Sequence, residues 1–196
     1  LRLALNYLTQ KDGASFDREM ERSDRIDPES TQACWLRGTR LIMLDNDSRK
    51  AREELKRLDT LMEKPFVFDE PSHRDHLYGL ILFSEGRTAE ALEALAKAAE
   101  RSPRDFYFFG REYARVILQA GRPDEAIESC RRLARFNGNN PLLQMLLCEA
   151  HMRKGDRASA KRYYDRVMEV LSEADKDYAP LIGFRREFGE LDRAKE

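Results

Sequence analysis

The chain has 196 residues, 36% of them charged and 41% apolar, yet acids and bases nearly cancel to leave a formal net charge of -1. That balance argues against wholesale nucleic-acid binding through a basic stripe, and no apolar run approaches the roughly 20 residues that span a bilayer. Three cysteines, Cys34, Cys130 and Cys148, are far apart and odd in number, which excludes a disulfide framework and points to a reducing, cytoplasmic home.

The opening LRLALNYL is already in helical rhythm and carries no methionine, so a longer parent protein with helices beyond both ends is expected. Ala4, Gly13, Met20 and Pro28 outline a first helix–turn–helix unit over 1–28. Gly38 and Ala51 mark a second over 29–64, with a longer turn that lacks glycine. EKPFVFDEPS then inserts extra chain over 64–72, where Pro65 and Pro71 oppose a helix. Its plainest role is a connector whose Phe66 and Phe68 plug an edge of the helical stack; the alternative is a binding loop or hinge.

The third unit, 72–104, is the clearest. In HRDHLYGLILFSEGR apolar residues recur three and four apart until Gly86 stops the helix. In TAEALEALAKAAERSP, Thr88 is placed to cap the second helix, Glu90 suits its positive end, and Pro103 ends it. The units over 105–139 and 140–173 repeat the grammar, with Pro123 opening one second helix. A partial unit over 174–196 closes the array, its Ile182 and Arg185 departing from the pattern.

Three registers keep one period. Gly86, Gly121, Gly155 and Gly189 are 35, 34 and 34 residues apart. Ala91, Ala126, Ala160 and Ala194 follow each glycine by five residues, and Gly79, Ala114, Cys148 and Ile182 precede them at the same spacing. Small residues on both helices of a pair let the backbones approach. The sequence therefore predicts an all-α, right-handed α-solenoid of antiparallel helix pairs, about five and a half repeats forming one domain over 1–196.

YGLILFSEGRTAEALEALAKAAERSP, YARVILQAGRPDEAIESCRRLARFNGNNP and LCEAHMRKGDRASAKRYYDRVMEV resemble the tetratricopeptide repeat, whose period is 34 residues. The resemblance covers nearly the whole chain. It implies a protein-interaction scaffold or regulatory module in which one face of each first helix lines a concave groove for a peptide. Carried onto this sequence, that face comprises His76, Leu80 and Phe83, then Phe108, Arg111, Arg115 and Leu118, then Met145, Glu149 and Met152. An apolar floor with two arginines at its middle suits an acidic or aromatic partner segment; the alternative is that these side chains pack between neighbouring repeats. The face has no lysine–asparagine set of the kind that clamps a partner's C-terminal carboxylate.

Chemistry is sparse by comparison. Cys148 and His151 share a helix face, but Cys148 sits at the small-residue crossing and reads as packing. His73 and His76 flank Asp75 near a helix start and read as solvated. No nucleophile motif or phosphate-cradling loop occurs, so neither an enzyme nor a metal or other cofactor is expected. The rival readings are an RNA-binding helical repeat and a substrate-recruiting array attached to a separate catalytic or signalling domain. On the second helices Glu53 with Arg57, Glu93 with Lys97 and Glu128 with Arg132 have the spacing of solubilising ion pairs.

Overall fold

A computed structural model describes residues 1–64, 71–101, 106–174 and 178–192. Pro65, Phe66, Phe68 and Pro103, and with them most of the insertion, lie outside the described residues. Among those described there are eleven α-helices, one short 3-10 turn and no strand. The helices are α1 (Arg2–Thr9), α2 (Gly13–Ile26), α3 (Thr31–Met43), α4 (Ser48–Met62), α5 (Pro71–Ser84), α6 (Thr88–Arg101), α7 (Phe106–Gln119), α8 (Pro123–Asn137), α9 (Pro141–Lys154), α10 (Arg157–Val170) and α11 (Ala179–Phe188). They fall into two compact units, Leu1–Phe109 and Gly110–Glu196.

Local chemistry explains several of the boundaries. Helix amides left without an intrahelical acceptor are taken up by side chains at the starts. Asp12 accepts from Ser15 N at 3.0 Å, Asp47 from Lys50 N at 2.9 Å, and Asn140 from Leu142 N at 3.0 Å. Thr88 is not the cap of α6; it is the first helical residue, because Ala91 N already donates to Arg87 O at 3.0 Å. Proline opens α5, α8 and α9, where its missing N–H costs nothing.

The turns inside the pairs need a left-handed residue. Gly86, Gly121 and Gly155 supply it at φ of 80°, 77° and 83°. In the first two pairs Lys11 (φ 59°) and Asn46 (φ 52°) do so instead. Gly13 is therefore the first residue of α2 rather than the turn, and Gly189 (φ −61°) leads into the 3-10 turn Gly189–Leu191. The 34-residue rhythm survives in sequence at Gly189 while the turn chemistry does not.

In the first unit Phe16, Trp35, Leu36, Leu58, Leu77, Ile81 and Phe109 build a continuous core. Small residues set the helix spacing there: a Cβ on Gly79 would lie 2.7 Å from the Leu95 side chain and 3.2 Å from the Ala91 carbonyl oxygen. In the second unit Tyr164, Val167, Leu181, Phe184 and Phe188 close the core around Cys148 and Ala160. Ala114 and Ala126 are fully buried. Replacing Ala126 with leucine should overpack α8 and cost about 1–3 kcal/mol; a melting curve that superimposes on wild type would refute the assigned crossing.

Candidate binding surface

The residues of the expected peptide-binding face divide between the two units, and burial sorts them. In the first unit His76 and Leu80 on α5 and Phe108 on α7 are buried, and Phe83 is half-buried. His76 stands inside a cluster of rings: Trp35 Nε1 donates to His76 Nδ1 at 3.0 Å. His73 packs on Trp35 with ring centres 4.3 Å apart, and Phe108 and Phe109 lie 5.3 and 4.7 Å from His76. The two histidines expected at a solvated helix start are thus interior residues. Trp35, forty-one residues upstream of His76, is the partner that the sequence did not disclose.

In the second unit Leu118 is buried, and its carbonyl accepts from Arg153 at 3.1 Å. Arg111, Arg115, Met145, Glu149 and Met152 are part-exposed. The two arginines flank Glu112, a carboxylate only 3% exposed, at 3.3 and 2.8 Å respectively. Arg111 is 12% exposed and Arg115 31%, so Arg115 is the one a ligand can reach. Arg115 also donates to Gln119 at 3.0 Å. Glu149 on α9 pairs with Arg153 at 2.6 Å and feels the Arg115 charge. Met145 and Met152 lean on the closing core together with Tyr178, which stands within the field of Arg111. The surface is therefore two thioethers and a phenol beside a mixed-charge cluster. Glu112 and Tyr178 went unrecognised in the sequence, although Glu112 lies one and three residues from the two arginines.

Burial holds the Glu149 carboxyl above its ordinary range, with Glu187 adding to the effect and Arg153 opposing it. An acid whose folded pKa is raised binds its proton more tightly in the folded state. Its contribution is thus full below the unfolded value and is lost as pH rises through the folded one. Relative to wild type, Glu149→Gln should gain stability as pH rises from about 4.5 to neutrality, leaving the variant at least as stable as wild type near pH 7. A clear loss of stability at neutral pH would mean that the Arg153 pair outweighs the burial cost.

The other candidates resolve simply. Burial pushes the Cys148 thiol up to about 12, Glu149 and Glu187 adding to the effect. His151 directs Nδ1 to Asp156 at 3.1 Å and stacks on Tyr163. Among the described residues no three or more His, Cys, Asp or Glu side chains gather as a metal site would require, and no helix is long and apolar enough to cross a membrane. Glu53 pairs with Arg49 at 3.5 Å, and Arg57 donates to the Pro28 carbonyl at 2.8 Å, so the spacing-based partnership between Glu53 and Arg57 gives way to other contacts.

Helix pairs with glycine turns, small-residue crossings and a 34-residue recurrence define an all-α solenoid of the repeat-protein class. The family described as tetratricopeptide repeat matches residues 82–146 and again 117–183, together more than half of the chain. The chain belongs to the tetratricopeptide repeat family. Solved structures agree on the fold. PilW, a type IV pilus biogenesis factor, is 17% identical with a TM-score of 0.64, covering 98% of this chain and 89% of its own. PilF of Pseudomonas aeruginosa is 18% identical with a TM-score of 0.57, covering 100% and 95%. MamA is 19% identical with a TM-score of 0.54, covering 87% and 88%. No curated protein gives a significant sequence match.

Proposed function

We propose that residues 1–196 act as one non-catalytic interaction domain, with repeats over 1–28, 29–64, 72–104, 105–139, 140–173 and 174–196, that binds a peptide or protein segment. The repeat fold suits protein–protein interaction, because stacked helix pairs bury core only against neighbours and leave extended faces for partners. The observation that carries the site is the part-exposed patch of Arg115, Met145, Glu149, Met152 and Tyr178 in the second unit. Methionine surfaces adapt to varied apolar side chains, and Arg115 offers a forked donor to a carboxylate. An aromatic or acidic segment is the matching ligand. Within the first unit Phe83 is the part-exposed residue of the expected face, with His76, Leu80 and Phe108 buried as packing, and within the second unit Leu118 is buried likewise. Three buried, unpaired thiols favour a reducing compartment, hence the cytoplasm.

The experiment is selection of a displayed peptide library on the protein, followed by titration against Met145→Lys/Met152→Lys. Both positions are part-exposed, so the fold should persist. Enriched peptides carrying aromatic and acidic side chains should lose about tenfold in affinity, roughly 1.4 kcal/mol. Equal affinity for the variant, with an unchanged circular dichroism spectrum, would remove this patch from the reading.

A further inference from the structure

A cleft of about 470 Å³ opens in the first unit between α2, α3 and α4, far in sequence from the patch just described. Its size is that of pockets that enclose a ligand or several side chains. Phe16, Met20 and Leu41 form the apolar part of its lining. Two arginines from α3 brace it, and their charges are spent within the protein. Arg37 pairs with Asp24 on α2 at 2.7 Å and with Glu54 on α4 at 3.4 Å. Arg40 pairs with Asp17 at 2.9 Å and with Asp45, and stands over the Phe16 ring. Lys50 is occupied with Asp47 at 3.4 Å.

Two acids on the lining are left over. Glu21 on α2 makes no ion pair among the described residues, and Glu53 on α4 has only the loose, exposed contact to Arg49 at 3.5 Å. The lining carries five acids against three bases, an excess of two negative charges. The whole chain has a net charge of only -1, so the cleft lining is more acidic than the chain as a whole. It extends along α2 from Phe16 to Asp24, roughly 12 Å of helix, which is enough for two successive side chains of an extended peptide.

We propose that this cleft is a second docking site, for a lysine- or arginine-bearing peptide segment of a partner protein. Such side chains bring an apolar stem and a cationic head on one group. The stem lies along Met20 and Leu41, and the head is received by Glu21 and Glu53 from the two walls. Arg37 and Arg40, already neutralised, hold the walls apart and keep the cleft open.

The test is fluorescence anisotropy with a short labelled peptide of alternating leucine and arginine, at an ionic strength of about 0.15 M. Wild-type protein should bind it and should ignore the counterpart in which glutamate replaces arginine. Glu21→Gln/Glu53→Gln should weaken binding about tenfold with no change in melting temperature, since both side chains are exposed. The same charge change made elsewhere, as Glu93→Gln/Glu128→Gln, should leave affinity as it was. No binding by wild type, full affinity in the cleft variant, or an equal loss in the remote variant would each overturn the proposal. Displacement of the peptide by spermidine at equal concentration would also overturn it, by making the occupant a small polyamine. Failure at this cleft leaves the Met145–Met152 patch untouched, because the two sites share no residue.

Discussion

Replacing Trp35 with alanine is expected to lower the stability of the first unit by about 3–5 kcal/mol, as for other buried large-to-small aromatic changes. Trp35 is fully buried, and its ring meets His73, His76, Phe108 and Phe109 at centroid distances from 4.3 to 5.9 Å. Ring pairs of this kind add about 0.5–1.5 kcal/mol beyond the apolar area they bury. The indole N–H also donates to His76 Nδ1 at 3.0 Å, which places the proton of the neutral imidazole on Nε2. Trp35→Phe separates the two contributions: it keeps a ring in the cluster but removes the donor, and should cost about 1–3 kcal/mol. Thermal melts followed by far-ultraviolet circular dichroism provide the measurement. If W35A melts together with wild type, the cluster does not hold the first unit together.

Trp35 also marks where sequence reading stops. Three of the turn glycines and the small-residue crossings of the middle helix pairs were legible, because each is a local requirement repeated at a fixed spacing. A left-handed turn favours glycine at Gly86, Gly121 and Gly155, and a close crossing needs a residue as small as Gly79. Where another residue meets the same need, the pattern misleads: Lys11 and Asn46 take the left-handed position in the first two pairs, and Gly13 does not. Side-chain partnerships between pairs have no such signature. The face assigned to peptide binding contains four residues that the structure buries, because position on a helix face fixes direction but not what stands opposite. His76, expected on an open face, is buried against Trp35 instead. For Phe83, Arg115, Met145, Glu149 and Met152, partial exposure is what the helical period alone could not supply.

The same distinction governs the variant Arg111→Glu/Arg115→Glu. Read from sequence, both arginines are exposed groove residues, and reversing them should leave helicity intact while weakening an acidic partner. The structure reverses the first half of that expectation. Both guanidinium groups face Glu112, whose carboxylate is 3% exposed, and Arg111 itself is 12% exposed. Reversal would press two new carboxylates onto a buried one and remove the two guanidinium groups it faces. Breaking a buried ion pair from one side costs about 3–5 kcal/mol, and the loss at Arg111 should be nearer that range than the loss at the better-solvated Arg115. The double variant should therefore melt far below wild type or fail to fold cooperatively. Adding Glu112→Gln should recover part of the loss, because an amide in that place carries no charge for the new acids to repel. Measuring the single, double and triple variants by chemical denaturation gives the coupling directly. A double variant as stable as wild type would mean that Glu112 is solvated in solution. If the predicted loss is seen, diminished partner binding in that variant reports unfolding, and the role of Arg115 in recognition has to be read from a neutral substitution such as Arg115→Gln, which leaves Arg111 to face Glu112.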